Sequence, residues 1–194
     1  MGGDGYLVKY LDGSNIPQIL TIALGYKLPF GRGQHFMNKA NPFANAVLGG
    51  WQYESINNFR SGVPWTPTVS TDVANIGVTP QHPNIVTAGA CRGTGSLTHA
   101  FNQVDFATPA AFTYGNGGVD VCRTPNHQEI DMSLSKDFNV TEGTKFQFRF
   151  EAFNVPNLTD FSGPSTNTDV STYGLISGIS NTPRQLQFAL KYVF

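Results

Sequence analysis

The sequence predicts an all-β chain: an antiparallel meander of about five or six long amphipathic strands, with a tight turn and two long loops between them. Three observations predict it. Apolar and polar residues alternate with period 2 in five segments, the spacing at which a strand's side chains share a face. The 21 Gly and 12 Pro, against only 13% charged residues, favour turns over surface helices. No window carries a helical period between caps, and no run of 18 apolar residues offers a membrane-spanning helix.

The strands are justified in chain order. Residues 6–11 offer a short sixth candidate. In residues 20–28, Leu20, Ile22, Leu24, Tyr26 and Leu28 alternate with Thr21, Ala23, Gly25 and Lys27. Residues 51–60 set Trp51, Tyr53 and Phe59 on one side, with Ser55 and Asn57 interrupting the apolar row. Residues 129–138 oppose Ile130, Met132, Leu134 and Phe138 to Glu129, Asp131, Ser133, Ser135 and Asp137. Thr141-Glu142-Gly143-Thr144 then supplies a hairpin turn, and a turn that short permits only an antiparallel partner. That partner is 145–151, with Phe146, Phe148 and Phe150 opposed to Lys145, Gln147, Arg149 and Glu151. The last strand, 185–194, sets Leu186, Phe188, Leu190, Tyr192 and Phe194 against Gln185, Gln187, Ala189, Lys191 and Val193. The apolar residues of these last two strands form one predicted apolar strand face.

The chemistry of that face is specific. A soluble sandwich buries one face of each sheet and keeps most Lys and Glu outside. Here the polar faces mix both charge signs with Gln and Ser, while the apolar faces are aromatic and unbroken in three strands. A strand of about ten residues, tilted about 45°, spans the hydrocarbon core of a bilayer. Lipid on one side and a wet lumen on the other fit the pattern, and Trp51, Tyr53, Trp65, Tyr192 and Phe194 would serve as interfacial aromatics. The mean hydropathy of −0.19 does not conflict, because alternation dilutes the apolar residues of such strands.

Residues 69–127 and 157–183 carry little alternation and much Gly, Pro, Asn, Ser and Thr. They read as long surface loops of a single β domain covering 1–194. Cys91 and Cys122, the only cysteines, both fall in the first loop. They predict a disulfide in an oxidising compartment and two free thiols in a reducing one. His82, His99 and His127 share that region, but their spacing with the cysteines matches no structural zinc pattern, and no metal or cofactor is expected. Asp160 and Asp169 lie near Asn167 and Thr168 without Ca²⁺-loop spacing. The net charge of −1 gives no footprint for nucleic acid. Ser133-Leu134-Ser135-Lys136 spells S-x-x-K, a pairing that works where i and i+3 share a helix face. On a strand the two point to opposite faces, so no catalytic residue is assigned and the reading leans away from an enzyme.

Several segments together resemble a known family: LPFGRGQHF (28–36), VLGGWQ (47–52), RSGVPWTPTV (60–69), FATPAAF (106–112), IDMSLSKDFNV (130–140), FRFEAFNVPNLTDF (148–161) and NTPRQLQFALKYVF (181–194). In this order they resemble the C-terminal barrel of TonB-dependent outer-membrane receptors, nearest the Oar-like group, over roughly residues 16–194. An aromatic-ended last strand is similar to the terminal signal of such barrels. The resemblance implies a place in the bacterial outer membrane, with membrane lipid as partner.

The departures are equally specific. The family builds a barrel of about 22 strands around a plug. This chain opens MGGDGYLVKYLDG, without the pattern of a signal peptide, and shows neither plug nor TonB-contacting box. Five or six strands cannot enclose a transport lumen, so the expectation is an apparently truncated receptor segment, not transport-competent alone. Two alternatives stand beside it. One is a self-assembling structural β protein, a homo-oligomer or filament formed through its free strand edges. The other is a soluble hydrolase or ligand-binding module that uses the long loops.

Overall fold

The structure, a computed structural model, describes residues 10–194. In chain order its elements are β1 (Ile19–Lys27), α1 (Pro42–Leu48), β2 (Trp51–Arg60), β3 (Pro64–Trp65), β4 (Asn84–Ile85), β5 (Phe106–Ala107), β6 (Cys122–Arg123), β7 (His127–Asn139), β8 (Lys145–Phe153) and β9 (Gln185–Val193). A short 3-10 turn, Gln103–Asp105, precedes β5. Of the sixth predicted strand, residues 6–9 lie outside the described residues; Tyr10 and Leu11 have no regular structure.

The described residues divide into two compact units. One holds Ile19–Phe59, Gln128–Thr159 and Asn181–Phe194, and contains nearly all of the five long strands. They form one sheet in the order β1-β2-β7-β8-β9, so the long strands are laid down as a meander. The fold is all-β with antiparallel pairing, as the alternation predicts. The Leu28 amide donates to the Trp51 carbonyl (2.9 Å) and the Ser61 amide to the Gln18 carbonyl (3.0 Å), which sets β1 antiparallel to β2. β7 pairs with β8 from Met132↔Ala152 to Asn139↔Lys145, and β8 with β9 from Lys145↔Val193 to Phe153↔Gln185. The turn is closed by the Val140 amide on the Thr144 carbonyl (2.9 Å) and by the Thr141 and Thr144 hydroxyls (2.6 Å).

Helix α1 is an addition to the predicted elements. Its start is legible afterwards in Asn41-Pro42: the Asn41 side chain accepts from the Ala44 amide, and Pro sits where its missing N–H costs nothing. At seven residues it is too short to show a helical period.

The other unit comprises residues 10–18, Arg60–His127 and Asp160–Ser180. Predicted as loops, these segments build a core of their own. Trp65, Ala100, Phe101, Phe106, Cys122, Tyr173 and Ile176 cluster there, all buried. Trp65 meets Phe101 edge-on (5.1 Å between centroids), and Phe106 meets Tyr173 likewise (5.5 Å). Two small antiparallel pairs, β3–β6 and β4–β5, support the cluster. Trp65 is thus a core residue of this unit, at 8% exposure, and not an interfacial one. Gly62 lies so close to the Thr124 backbone that a Cβ would overlap its carbonyl.

Candidate functional site: two opposed faces of the sheet

The β8–β9 ladder places Phe146 opposite Tyr192, Phe148 opposite Leu190 and Phe150 opposite Phe188, with Leu186 opposite Ala152. Directly opposed residues share a face, so these side chains form one continuous apolar surface. Ring contacts run along it: Phe146–Tyr192 and Phe150–Phe188 at 5.0 Å, Tyr192–Phe194 at 5.8 Å. The β7–β8 ladder extends it through Phe138, Leu134 and Met132, opposite Phe146, Phe150 and Ala152. On β1 and β2, the Leu28–Trp51 pair fixes the same face as Leu24 and Tyr26 beside Tyr53, and Trp51 reaches Phe148 at 6.0 Å. Leu20, Leu24, Tyr26, Leu186, Phe188, Leu190 and Tyr192 are all more than half exposed. Contiguous apolar surface on this scale is not left to water in a monomeric soluble protein.

The opposite face is polar and internally paired. The Lys145 ammonium meets the Asp137 carboxylate at 2.5 Å, and the Gln147 amide donates to the same carboxylate at 3.0 Å. Arg149 lies 3.4 Å from Glu151. Thr21 donates to Asn58 (2.9 Å), and Ser133 to Glu54 (3.4 Å). Because the groups are half exposed and of both signs, they suit a hydrated surface and create no reactive pair.

One residue crosses this division. Lys136 faces Phe148 in the ladder and therefore stands on the apolar face, between Leu134 and Phe138. It is buried there. Its ammonium donates to the Ala46 carbonyl (2.5 Å) and the Gly49 carbonyl, and lies over the Trp51 and Phe138 rings at 5.7 and 5.0 Å. A cation on unpaired carbonyls at a helix C-terminus is favoured by the negative end of the helix dipole. Ser133, the other half of S-x-x-K, sits beside Glu54 on the polar face. The strand reading of S-x-x-K puts Ser133 and Lys136 on opposite faces, as they are found. The burial of Lys136 against α1 is not read from the sequence, although its place two residues from Leu134 and Phe138 was the signal.

In the second unit, Cys91 and Cys122 are brought together, with Cα atoms 5.1 Å apart and the sulfurs joined. Asp169 ties three segments: its carboxylate accepts from the Ser70 and Thr71 amides (2.8 and 3.3 Å) and from the Thr108 hydroxyl (3.3 Å). Asp72 accepts from the Ile76 and Gly77 amides, which hold its carboxyl below the usual range. The histidines are dispersed. His127 pairs with Asp160, His82 is half-buried with its imidazole pushed towards the neutral form, and His99 is exposed beside Thr98. Among the described residues no three His, Cys, Asp or Glu side chains converge as a metal site.

A meander of long strands with one lipid-type face and one polar face defines a β-barrel protein of the outer-membrane class. Residues 8–187 match the family model for an outer membrane beta barrel domain, and the chain belongs to that family. It is an outer-membrane protein. None of the curated proteins and none of the solved structures matches it.

Proposed function

We propose that the chain contributes wall strands and surface loops to the C-terminal barrel of a TonB-dependent outer-membrane receptor, without transporting on its own. The observation that carries the proposal is the single apolar face running through all five long strands. The order of family-like segments along the chain supports the receptor assignment over other barrels. Among the described residues β1 and β9 are the edges of the sheet, and five strands do not close around a lumen. Each edge therefore pairs with a further strand of a barrel wall. The family match runs through both compact units, which supports one β domain in which residues 69–127 and 157–183 are loops. In the oxidising surroundings of such loops Cys91 and Cys122 form a disulfide.

The same free edges favour a second reading, self-association of the isolated chain. An unpaired strand presents a row of N–H and C=O groups to any partner, and every residue of β1 is exposed. Light scattering on the purified chain, with and without detergent, tests both. Insolubility in buffer with dispersal in detergent is the expected result. A discrete large assembly in buffer supports self-association, and a stable 21.0 kDa monomer without detergent refutes both readings.

A further inference from the structure

We infer that the β1–β2 connection, residues 28–50, is a seat for anionic phospholipid headgroups: helix α1 lies on the outer wall of the sheet with its apolar side turned outward among exposed cations. The inference rests on the membrane reading above and adds a leaflet and a lipid chemistry to it.

Position comes first. The Leu28–Trp51 pair brings the connection to the end of the sheet where Lys136 and the 140–144 turn also lie. Tight turns mark the periplasmic side of outer-membrane barrels. α1 is held there on the apolar face by the Trp51 indole, which donates to the Val47 carbonyl (2.9 Å), and by Lys136 on the Ala46 and Gly49 carbonyls. On its inner side the Asn45 side chain accepts from the Arg32 amide (2.7 Å).

With those contacts fixing one side, the wheel of α1 sets Phe43, Ala44, Val47 and Leu48 within one arc opposite Asn45. Phe43 is 79% exposed, and Val47 and Leu48 are 48% exposed. A short helix with an apolar side outward, beside a lipid-facing wall, is placed to dip into a headgroup boundary.

Charge selects the lipid. Between Gly13 and Tyr53 the sequence has no Asp or Glu, while Arg32 and Lys39, both in the connection, are exposed. Arg32 and Lys136 border an open cleft of about 430 Å³ beside Asn45 and Gly49; its one carboxylate, Asp137, is paired with Lys145 on the polar face. Juxtamembrane cations of this kind attract anionic lipid, each changing its local association roughly fivefold.

The test uses the full chain refolded into phosphatidylcholine vesicles that hold a minor fraction of phosphatidylglycerol. Association of spin-labelled phosphatidylglycerol is compared with that of spin-labelled phosphatidylcholine. A preference of roughly fivefold or more is expected, falling towards unity in the Arg32→Ala/Lys39→Ala variant and, for the unsubstituted chain, in high salt. Insertion with no preference overturns the inference and leaves the barrel reading standing. A preference that survives both the substitution and the salt overturns it as well. A chain that does not enter the vesicles overturns the barrel reading and the inference together.

Discussion

Tyr173 should make the loop unit sensitive to alkali, and a single oxygen atom should account for it. The side chain is 1% exposed and packs edge-on against Phe106. Its hydroxyl is buried with no hydrogen-bond partner. Burial pushes the phenol well above its ordinary value of 10.0, and the Asp105 carboxylate adds to the shift. Since the folded value lies above the unfolded one, the unfolded chain loses the proton first. Stability is then fully present below pH 10 and falls as pH rises beyond it, by about 1.4 kcal/mol per pH unit at most for one group. Tyr173→Phe removes the uncompensated hydroxyl, so near neutrality its stability should be unchanged or up to about 1 kcal/mol higher. The alkaline loss should shrink by one group's slope. Tyr173→Ala deletes the ring as well and should cost about 3–5 kcal/mol at any pH. Denaturant unfolding in detergent, followed by Trp65 fluorescence in a Trp51→Phe background, reads this core alone among the two tryptophans. A Phe variant that keeps the full alkaline slope, or an Ala variant costing under about 1 kcal/mol, would refute this account of the core.

Three further outcomes are expected. Cys91→Ala/Cys122→Ala should destabilise the loop unit by roughly 3–4 kcal/mol in the chain-entropy model for a 31-residue separation, seen as a denaturant shift that reductant reproduces in the parent chain. Burial holds the His82 imidazole below its ordinary value of 6.5, so the unfolded chain takes up the proton first as the solution is acidified. Stability of that unit should therefore fall as pH drops below about 6.5, and His82→Gln should flatten the fall in denaturant titrations. Lys136→Met should free the Ala46 and Gly49 carbonyls and speed amide exchange at Asn45 and Gly49, while the sheet amides of β8 keep their protection.

The long strands were legible because their pattern is local. Period-2 alternation located β1, β2, β7, β8 and β9 to within one or two residues, and Glu142-Gly143 located the hairpin. The register could not be read from alternation alone; it follows from the turn, which sets Phe138 opposite Phe146. The loop unit was not legible for the opposite reason. Its core joins Trp65, Phe101, Phe106 and Tyr173, which are scattered through a Gly- and Pro-rich sequence with no period. Such a core is held by single anchors, among them Asp169 reaching Ser70, Thr71 and Thr108. Lys136 was hidden by the rule that revealed its neighbours. A lone cation in an apolar row looks like an exception until α1 supplies the carbonyls that receive it.

The lipid-facing sheet is tested most directly by a nitroxide scan of β9, one label at a time from Gln185 to Val193, with the chain in lipid vesicles. Accessibility to oxygen, which concentrates in hydrocarbon, is compared with that to a water-soluble nickel chelate. The account predicts a strict two-residue alternation: oxygen high at Leu186, Phe188, Leu190 and Tyr192, chelate high at Gln187, Ala189 and Lys191. Equal accessibility along the strand, or alternation with the opposite phase, would contradict it.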